Sequence, residues 1–149
     1  MSIIGGNTSF WLEGPENRLR YFGQRCALGT CIPQLGNSTI ICKNGGIAWL
    51  VAPISTEVSR SWYSREDAVT RAIAVTSLTT GWFVPTLGQL QNPGYLCRSF
   101  WDSYSSTRYW SSTESNANHA CYVIFSAGTT SGDAKTCSFC VRAFRCVTY

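Results

Sequence analysis

Eight cysteines, one histidine and ten arginines are the residues of this 149-residue chain with the most chemistry open to them. His119 is the one histidine, and so the one general base of its type. It closes the polar stretch Glu114-Ser115-Asn116-Ala117-Asn118-His119. No serine or cysteine beside it sits in a nucleophile motif, so a loop histidine is expected and no catalytic residue is assigned. Cys137-Ser138-Phe139-Cys140 has the C-x-x-C spacing of a zinc or redox pair. A structural zinc site needs a second pair or two histidines, and a redox pair is expected beside a βαβ unit, which the chain lacks. Cys121 and Cys146 could complete a four-cysteine cluster in space, although nothing in the spacing says so. No metal and no cofactor is expected.

The remaining cysteines are Cys26, Cys31, Cys42 and Cys97. Eight cysteines allow more pairings than sequence can choose among. The opening MSIIGGNTSFWLEG has no basic region, no long apolar stretch and no small-residue cleavage site, so no secretory signal is expected. Two readings stay open. The protein is made in a cytoplasm and released by lysis, as virion proteins are, or its thiols stay reduced as small buried hydrophobes.

One stretch has the residue types of a binding surface. Trp101, Asp102, Tyr104, Arg108 and Tyr109 lie close in sequence, with Asn116, Asn118 and His119 just beyond. Aromatics, hydroxyls and amides are what a rigid but adaptable binding face uses. Trp101 and Tyr104 would serve equally well as core, given how often aromatics are buried.

Composition narrows the partners. Charged residues make up 13% of the chain, against about 25% in an average soluble domain. The net charge is +4, but the arginines are scattered and form no run of the kind that binds nucleic acid. No stretch approaches the ~18 uninterrupted apolar residues of a membrane span. Neither nucleic acid nor membrane insertion is therefore expected. A surface so poor in charge favours self-association. The expected assembly contact is Ile3, Ile4, Phe10, Trp11 and Leu12, and a trimer is expected if the chain belongs to a fibre.

The elements that must position these groups follow from pattern. Residues 1–45, rich in glycine, asparagine and cysteine, read as a strand and loop extension without a helix. Ile47 to Ala52 is an apolar run stopped by Pro53, which suits a buried strand. Ser64-Arg65-Glu66-Asp67 reads as a helix start capped by Ser64, with Ala68, Val69, Ala72, Ile73 and Thr76 as the apolar face. Thr86-Leu87-Gly88-Gln89 has capping-box spacing for a short helix ended by Asn92-Pro93-Gly94. Strands are expected at Tyr109–Ser112, Cys121–Phe125 and Cys140–Val147, with a turn bracketed by Gly128 and Gly132. The order is that of an α+β domain over residues 46–149, and Trp49, Trp82 and Trp110 are expected in one core.

Several of these pieces together resemble a known family. They are Gly46-Ile47-Ala48-Trp49, Trp62-Tyr63-Ser64 leading to Glu66-Asp67-Ala68, Gly81-Trp82-Phe83-Val84-Pro85-Thr86 with Gln89-Leu90, Tyr109-Trp110-Ser111-Ser112-Thr113-Glu114, and the closing Val141-Arg142-Ala143-Phe144-Arg145-Cys146-Val147. The set resembles the C-terminal domain of bacterial collagen-like adhesins, with Gln89 standing where that pattern has glutamate. That family is similar to the C-type-lectin-like fold of formylglycine-generating enzymes and phage tropism-determining proteins. The resemblance covers Gly46 to Val147. It implies a lectin-like fold with one main helix and a short helix on small antiparallel sheets, whose loops around Trp101 to Tyr109 form a variable binding face. It assigns most motif residues to architecture.

Calcium-binding lectins of this fold carry Glu-Pro-Asn or Gln-Pro-Asp and Trp-Asn-Asp. Here Gln91-Asn92-Pro93 and Trp101-Asp102-Ser103 depart from both, so no calcium site is expected. The expected function is a non-enzymatic bacteriophage virion component (capsid decoration, neck or fibre). Its partners would be copies of itself, other virion proteins, and a host-surface glycan or receptor. The alternative is a metal- or thiol-dependent enzyme of the formylglycine-generating type.

Overall fold

The computed structural model describes residues 14–149, which form a mixed α+β structure with two small sheets. The expected assembly residues Ile3, Ile4, Phe10, Trp11 and Leu12 lie outside the described residues. The first sheet contains β1 (Cys31–Ile32), β2 (Ser38–Asn44), β3 (Ile47–Val51) and β9 (Phe144–Thr148), in the order β1-β2-β3-β9. The second contains β4 (Val58–Ser61), β5 (Arg108–Glu114), β6 (His119–Ile124), β7 (Thr129–Ala134) and β8 (Ser138–Val141), in the order β4-β8-β5-β6-β7. All pairs are antiparallel except β5 with β8.

The first helix was not expected. Helix α1 spans Pro15–Arg25, where the sequence reads as strands and loops. Proline at the first helical turn gives up only an N–H that would go unpaired there anyway. Leu19, Phe22 and Cys26 then recur at helical spacing and pack against the first sheet. Gly23 explains the misreading. It is a weak helix former, but a Cβ there would stand 3.0 Å from Val147 and 3.3 Å from Ala48. The missing side chain lets the helix press onto β3 and β9.

Helix α2 spans Asp67–Thr76, and here too the start differs from expectation. Trp62–Ser64 forms a separate 3-10 turn, and Ser64 caps nothing; Glu66 holds the cap position without a side-chain bond. The apolar face is as expected, with Ala68, Ala72 and Thr76 buried and Val69 and Ile73 packed at its margin. The Thr86 capping box forms in full, opening the short helix α3 (Leu87–Gln89). The helix breaks at Asn92 as expected, where the backbone is extended (φ −142°, ψ 110°) inside a π-type turn over Leu90–Tyr95.

The two sheets share an apolar interior. Ile41, Val51 and Phe144 from the first meet Tyr109, Val123 and Phe125 from the second side, with Leu90 and Trp101 between them. The opposite face of the first sheet packs Ala48, Leu50 and Val147 on Leu19 and Ala72. The outer face of the second carries Trp110, Tyr122 and Val141, covered by Trp62, Ala68 and Val84. Trp82, Trp49 and Trp110 therefore join three clusters instead of one, and Trp49 is only half-buried. Each sheet has two apolar faces, so a period-two alternation reads as buried on both sides.

The motif residues act as architecture. Ser112 donates its N–H to the Pro85 carbonyl at 2.8 Å, and Thr113 Oγ1 accepts from the Leu87 N–H at 3.0 Å. The tryptophan indoles also bond: Trp62 to the Ser111 carbonyl, Trp110 to that of Arg60, and Trp82 to Thr76 Oγ1. Arg145 donates to the Thr80 carbonyl at 2.8 Å beneath Gly81, whose φ of 87° and crowding by the guanidinium both exclude a Cβ.

Two strand expectations need correction. The closing strand is two strands in different sheets, β8 and β9, with Arg142 and Ala143 at the changeover. The Gly128 to Gly132 stretch is a turn followed by the edge strand β7, in which Gly132 pairs with Cys121.

Candidate binding site

Arg142 lies where the chain passes from one sheet to the other, its side chain fully out of solvent. A buried guanidinium needs partners for its five N–H groups, and the strand ends supply them. Its Nη2 donates to Glu57 Oε1 at 3.0 Å and to the Ser103 carbonyl at 2.7 Å. Its Nη1 donates to Asp102 Oδ1 at 3.1 Å and to the Ala52 carbonyl at 2.9 Å, and its Nε reaches Glu57 Oε1 at 3.2 Å. The Trp101 ring flanks the guanidinium at 5.1 Å.

The bonds continue into the loop that enters β5. Asp102 Oδ2 accepts from the Ile54 N–H at 2.8 Å. The Tyr109 hydroxyl donates to Glu57 and accepts from the Ser105 N–H at 2.8 Å. Burial pushes the Tyr109 phenol far above its ordinary range, and the neighbouring Glu57 carboxylate works in the same direction. The hydroxyls of Ser105 and Thr107 bond each other at 2.7 Å. The Trp101–Thr107 loop is thus tied down along its inner side at Asp102, Ser103 and Ser105.

Its outer side is free. Ser103, Tyr104, Ser106 and Thr107 are exposed, as are Ile54 and Ser55 alongside. The Tyr104 ring, 37% exposed, leans edge-on against Trp101 and Phe125. The result is a surface of hydroxyls, one aromatic ring and one aliphatic side chain, fixed from beneath.

The expected binding residues separate under this geometry. Trp101 and Tyr109, 6% and 0% exposed, are core and not surface, because the aromatic cluster between the sheets needs their area. The Asp102 carboxylate is spent on Arg142 and Ile54. Tyr104, which would have served equally well as core, is exposed. Arg108 is exposed too, but its guanidinium lies over Tyr122 and Phe139 on the outer face of the second sheet, opposite to Tyr104. Asn116, Asn118 and His119 are exposed at the far end of β5, roughly 20 Å from its start. There Asn116 Oδ1 accepts from the backbone N–H groups of Asn118 and His119, both at 2.9 Å, which makes it a turn former. The structure therefore divides the expected surface between two ends of the sheet.

The cysteine pair does not converge. Cys137 packs beside Phe139 on the outer face of the second sheet, and Cys140 faces the interior between the sheets. Cys137 lies in the bend just before β8, and Cys140 lies within the strand. Cys140 lies among Glu57, Ser105 and Thr107, and burial pushes its thiol up. Cys121 is in β6, while Cys146 is in β9 beside Trp49, so the two complete no cluster with Cys137 and Cys140. Among the described residues no group of three or more His, Cys, Asp or Glu side chains could hold a metal ion.

Sequence reasoning missed Glu57, Ile54 and Ser103. Arg142 stands in the closing motif, but nothing local marks Glu57 as its partner. Compared with known proteins, the chain matches no family model and no curated protein.

Proposed function

We propose that this chain is a non-enzymatic binding protein whose ligand, a host-surface glycan, sits on Ile54 and the Trp101–Thr107 loop. The observation that carries the reading is the two-sidedness of that loop. Its inner side is held by buried Arg142, Glu57 and Tyr109, and its outer side leaves Tyr104 and several hydroxyls in solvent. A loop already fixed loses little conformational freedom when it binds, so more of each contact appears as affinity. A phenol ring among hydroxyls, with its charges neutralised beneath, complements the C–H faces and hydroxyls of a sugar.

The lectin-like reading of the fold supports the same function. β3 and β9, from the two ends of residues 46–149, lie side by side; the main helix follows β3 and β4, and the second sheet carries the exposed loop. The chain is then a subunit of a bacteriophage particle, as capsid decoration, neck or fibre, with further copies of itself and other virion proteins as neighbours. A thiol-dependent enzyme would need Cys137 and Cys140 at one centre, and their packing against two different apolar clusters does not favour it.

An array of bacterial surface polysaccharides probed with the purified protein tests this reading. The wild type should be retained on at least one polysaccharide, and Tyr104→Ala, with an unchanged dichroism spectrum, should not. No retention of the wild type, or equal retention of the variant, would overturn it.

A further inference from the structure

Among the described residues, one sheet edge is long and open. At the ends of the sheets, β1 is two residues long and β4 four, too short to offer much of a ladder. β9 carries a further bridge, in which Phe83 and Phe144 exchange N–H to carbonyl bonds at 3.0 and 2.9 Å. The six residues of β7 run beside β6 in unbroken register, from Ala134 opposite His119 to Thr129 opposite Ile124. Thr129 to Gly132 are exposed, and the strand holds neither the lysine nor the proline that often blunts an edge.

The phase of the ladder says which groups are free. Bonded and non-bonded positions alternate in an antiparallel pair. The Lys135 N–H bonds to the Asn118 carbonyl at 2.9 Å, one step beyond Ala134, so Asp133, Ser131 and Thr129 turn their backbone groups to β6. Thr130, Gly132 and Ala134 turn theirs outward. The Ala134 N–H is taken by the Asp133 carboxylate at 2.8 Å. Among the described residues the outward groups of Thr130 and Gly132 have no such partner. Nothing inside the chain demands glycine at 132 either. A Cβ there would meet only ordinary contacts, with Ala120 O at 3.4 Å and Ser115 Oγ at 3.6 Å. Glycine within a strand often marks the close approach of another backbone.

We propose that β7 is where a second copy of this chain docks, strand to strand and antiparallel, about a two-fold axis at Ser131. Two such edges must set outward residues against outward residues. Centred on Gly132, the pairing would set Thr130 against Ala134, whose N–H is already taken. Centred on Ser131, it sets Thr130 of each copy against Gly132 of the other, and the free N–H groups of both meet free carbonyls. Asp133, the one charged residue of the strand, then stands opposite the Thr129 hydroxyl and not opposite itself. The contact is narrow and polar, so alone it is weak. It adds to the association expected of residues 1–12 where copies are held close together, and it does not depend on what the Trp101–Thr107 loop binds.

The two Ser131 residues would face each other as a non-bonded pair, with Cα atoms about 4.5 Å apart and within reach of a disulfide. The test is to hold the concentrated full chain carrying Ser131→Cys with oxidised glutathione, and to map disulfide-linked peptides by mass spectrometry. The expected product joins two copies through position 131. Thr129→Cys, exposed on the same face of the strand, should give at least about tenfold less link through its own position, because it faces Asp133. Adding Gly132→Pro to Ser131→Cys removes an outward N–H that the chain itself does not use. It should suppress the link with the near-ultraviolet dichroism unchanged. If that variant folds poorly, the comparison of positions 131 and 129 decides the case. Equal yields at the two positions would overturn the proposal, as would a position 131 that takes up glutathione or another cysteine in place of its twin.

Discussion

Arg142 and Glu57, 85 positions apart in sequence, meet at 3.0 Å with the arginine wholly buried. The pair joins the switch between the two sheets to the link between β3 and β4. Through Asp102 and Ser103 the same guanidinium governs the path of the loop entering β5. Removing the cation would leave two largely buried carboxylates without compensation. Arg142→Met should therefore destabilise the protein by about 3–5 kcal/mol, measured by denaturant unfolding. A loss within the range of an exposed ion pair, below about 1 kcal/mol, would mean that Arg142 is not the clamp described.

Alkali should unfold the protein through the same network. The Tyr109 phenol is held above its ordinary value of 10 in the folded state, mainly by burial. A group with a raised folded pKa contributes stability that is complete below its unfolded pKa and is lost as pH rises past it. Cys146, pushed up to about 11 by burial, adds the same trend starting from pH 9. Melting temperatures should thus fall from about pH 9 and more steeply above pH 10. Tyr109→Phe should flatten the steeper part, while costing about 1–3 kcal/mol at neutral pH because Glu57 and the Ser105 N–H each lose a partner.

How much of this could be read from the sequence depended on how far apart the partners were. The Thr86–Gln89 box and the apolar face of α2 were legible because each is complete within about ten residues, where spacing alone carries the signal. Ser64 failed as a cap because Trp62 binds the Ser111 carbonyl, holding Trp62–Ser64 in its own turn. Helix α1 was hidden by Gly23, which costs helix propensity and is needed for the approach to Val147. The clamp was not legible at all. Ala52, Glu57, Asp102, Ser103 and Arg142 come from three separated stretches, and no local pattern links them. For the candidate surface, residue types pointed to a loop that leaves Tyr104 exposed, but Trp101 and Tyr109 went to the core because large rings stabilise by burial.

Gly36 tests how residues 31–45 are held to the rest. Its φ is 63°, and a Cβ would lie 2.4 Å from the Val75 carbonyl oxygen at the end of α2. Both the conformation and the backbone contact oppose a side chain, so Gly36→Ala should destabilise by about 1–3 kcal/mol. Gly45→Ala is the control, since it shares the positive φ but meets nothing within 4 Å. Equal losses in the two variants would mean that conformation alone is responsible and that the docking of Gly36 on α2 contributes nothing.

Self-association should depend on the N-terminal apolar residues. Deleting residues 1–12, which removes Ile3, Ile4, Phe10, Trp11 and Leu12, is expected to convert an oligomer to a monomer on size-exclusion chromatography. The near-ultraviolet dichroism of the tryptophan core should persist. An unchanged elution volume would contradict that assignment.

The central claim is that the clamped loop, and not the far hairpin or the outer face, meets the ligand. Calorimetric titration with the polysaccharide that retains the wild type on the array tests it most directly. Tyr104→Ala should weaken binding by at least about tenfold, the equivalent of one stacked ring at ~1.4 kcal/mol. Arg108→Ala and His119→Ala should each stay within about twofold of wild type, since neither side chain lies on that surface. Loss of binding in His119→Ala or Arg108→Ala, with Tyr104→Ala unaffected, would contradict the account.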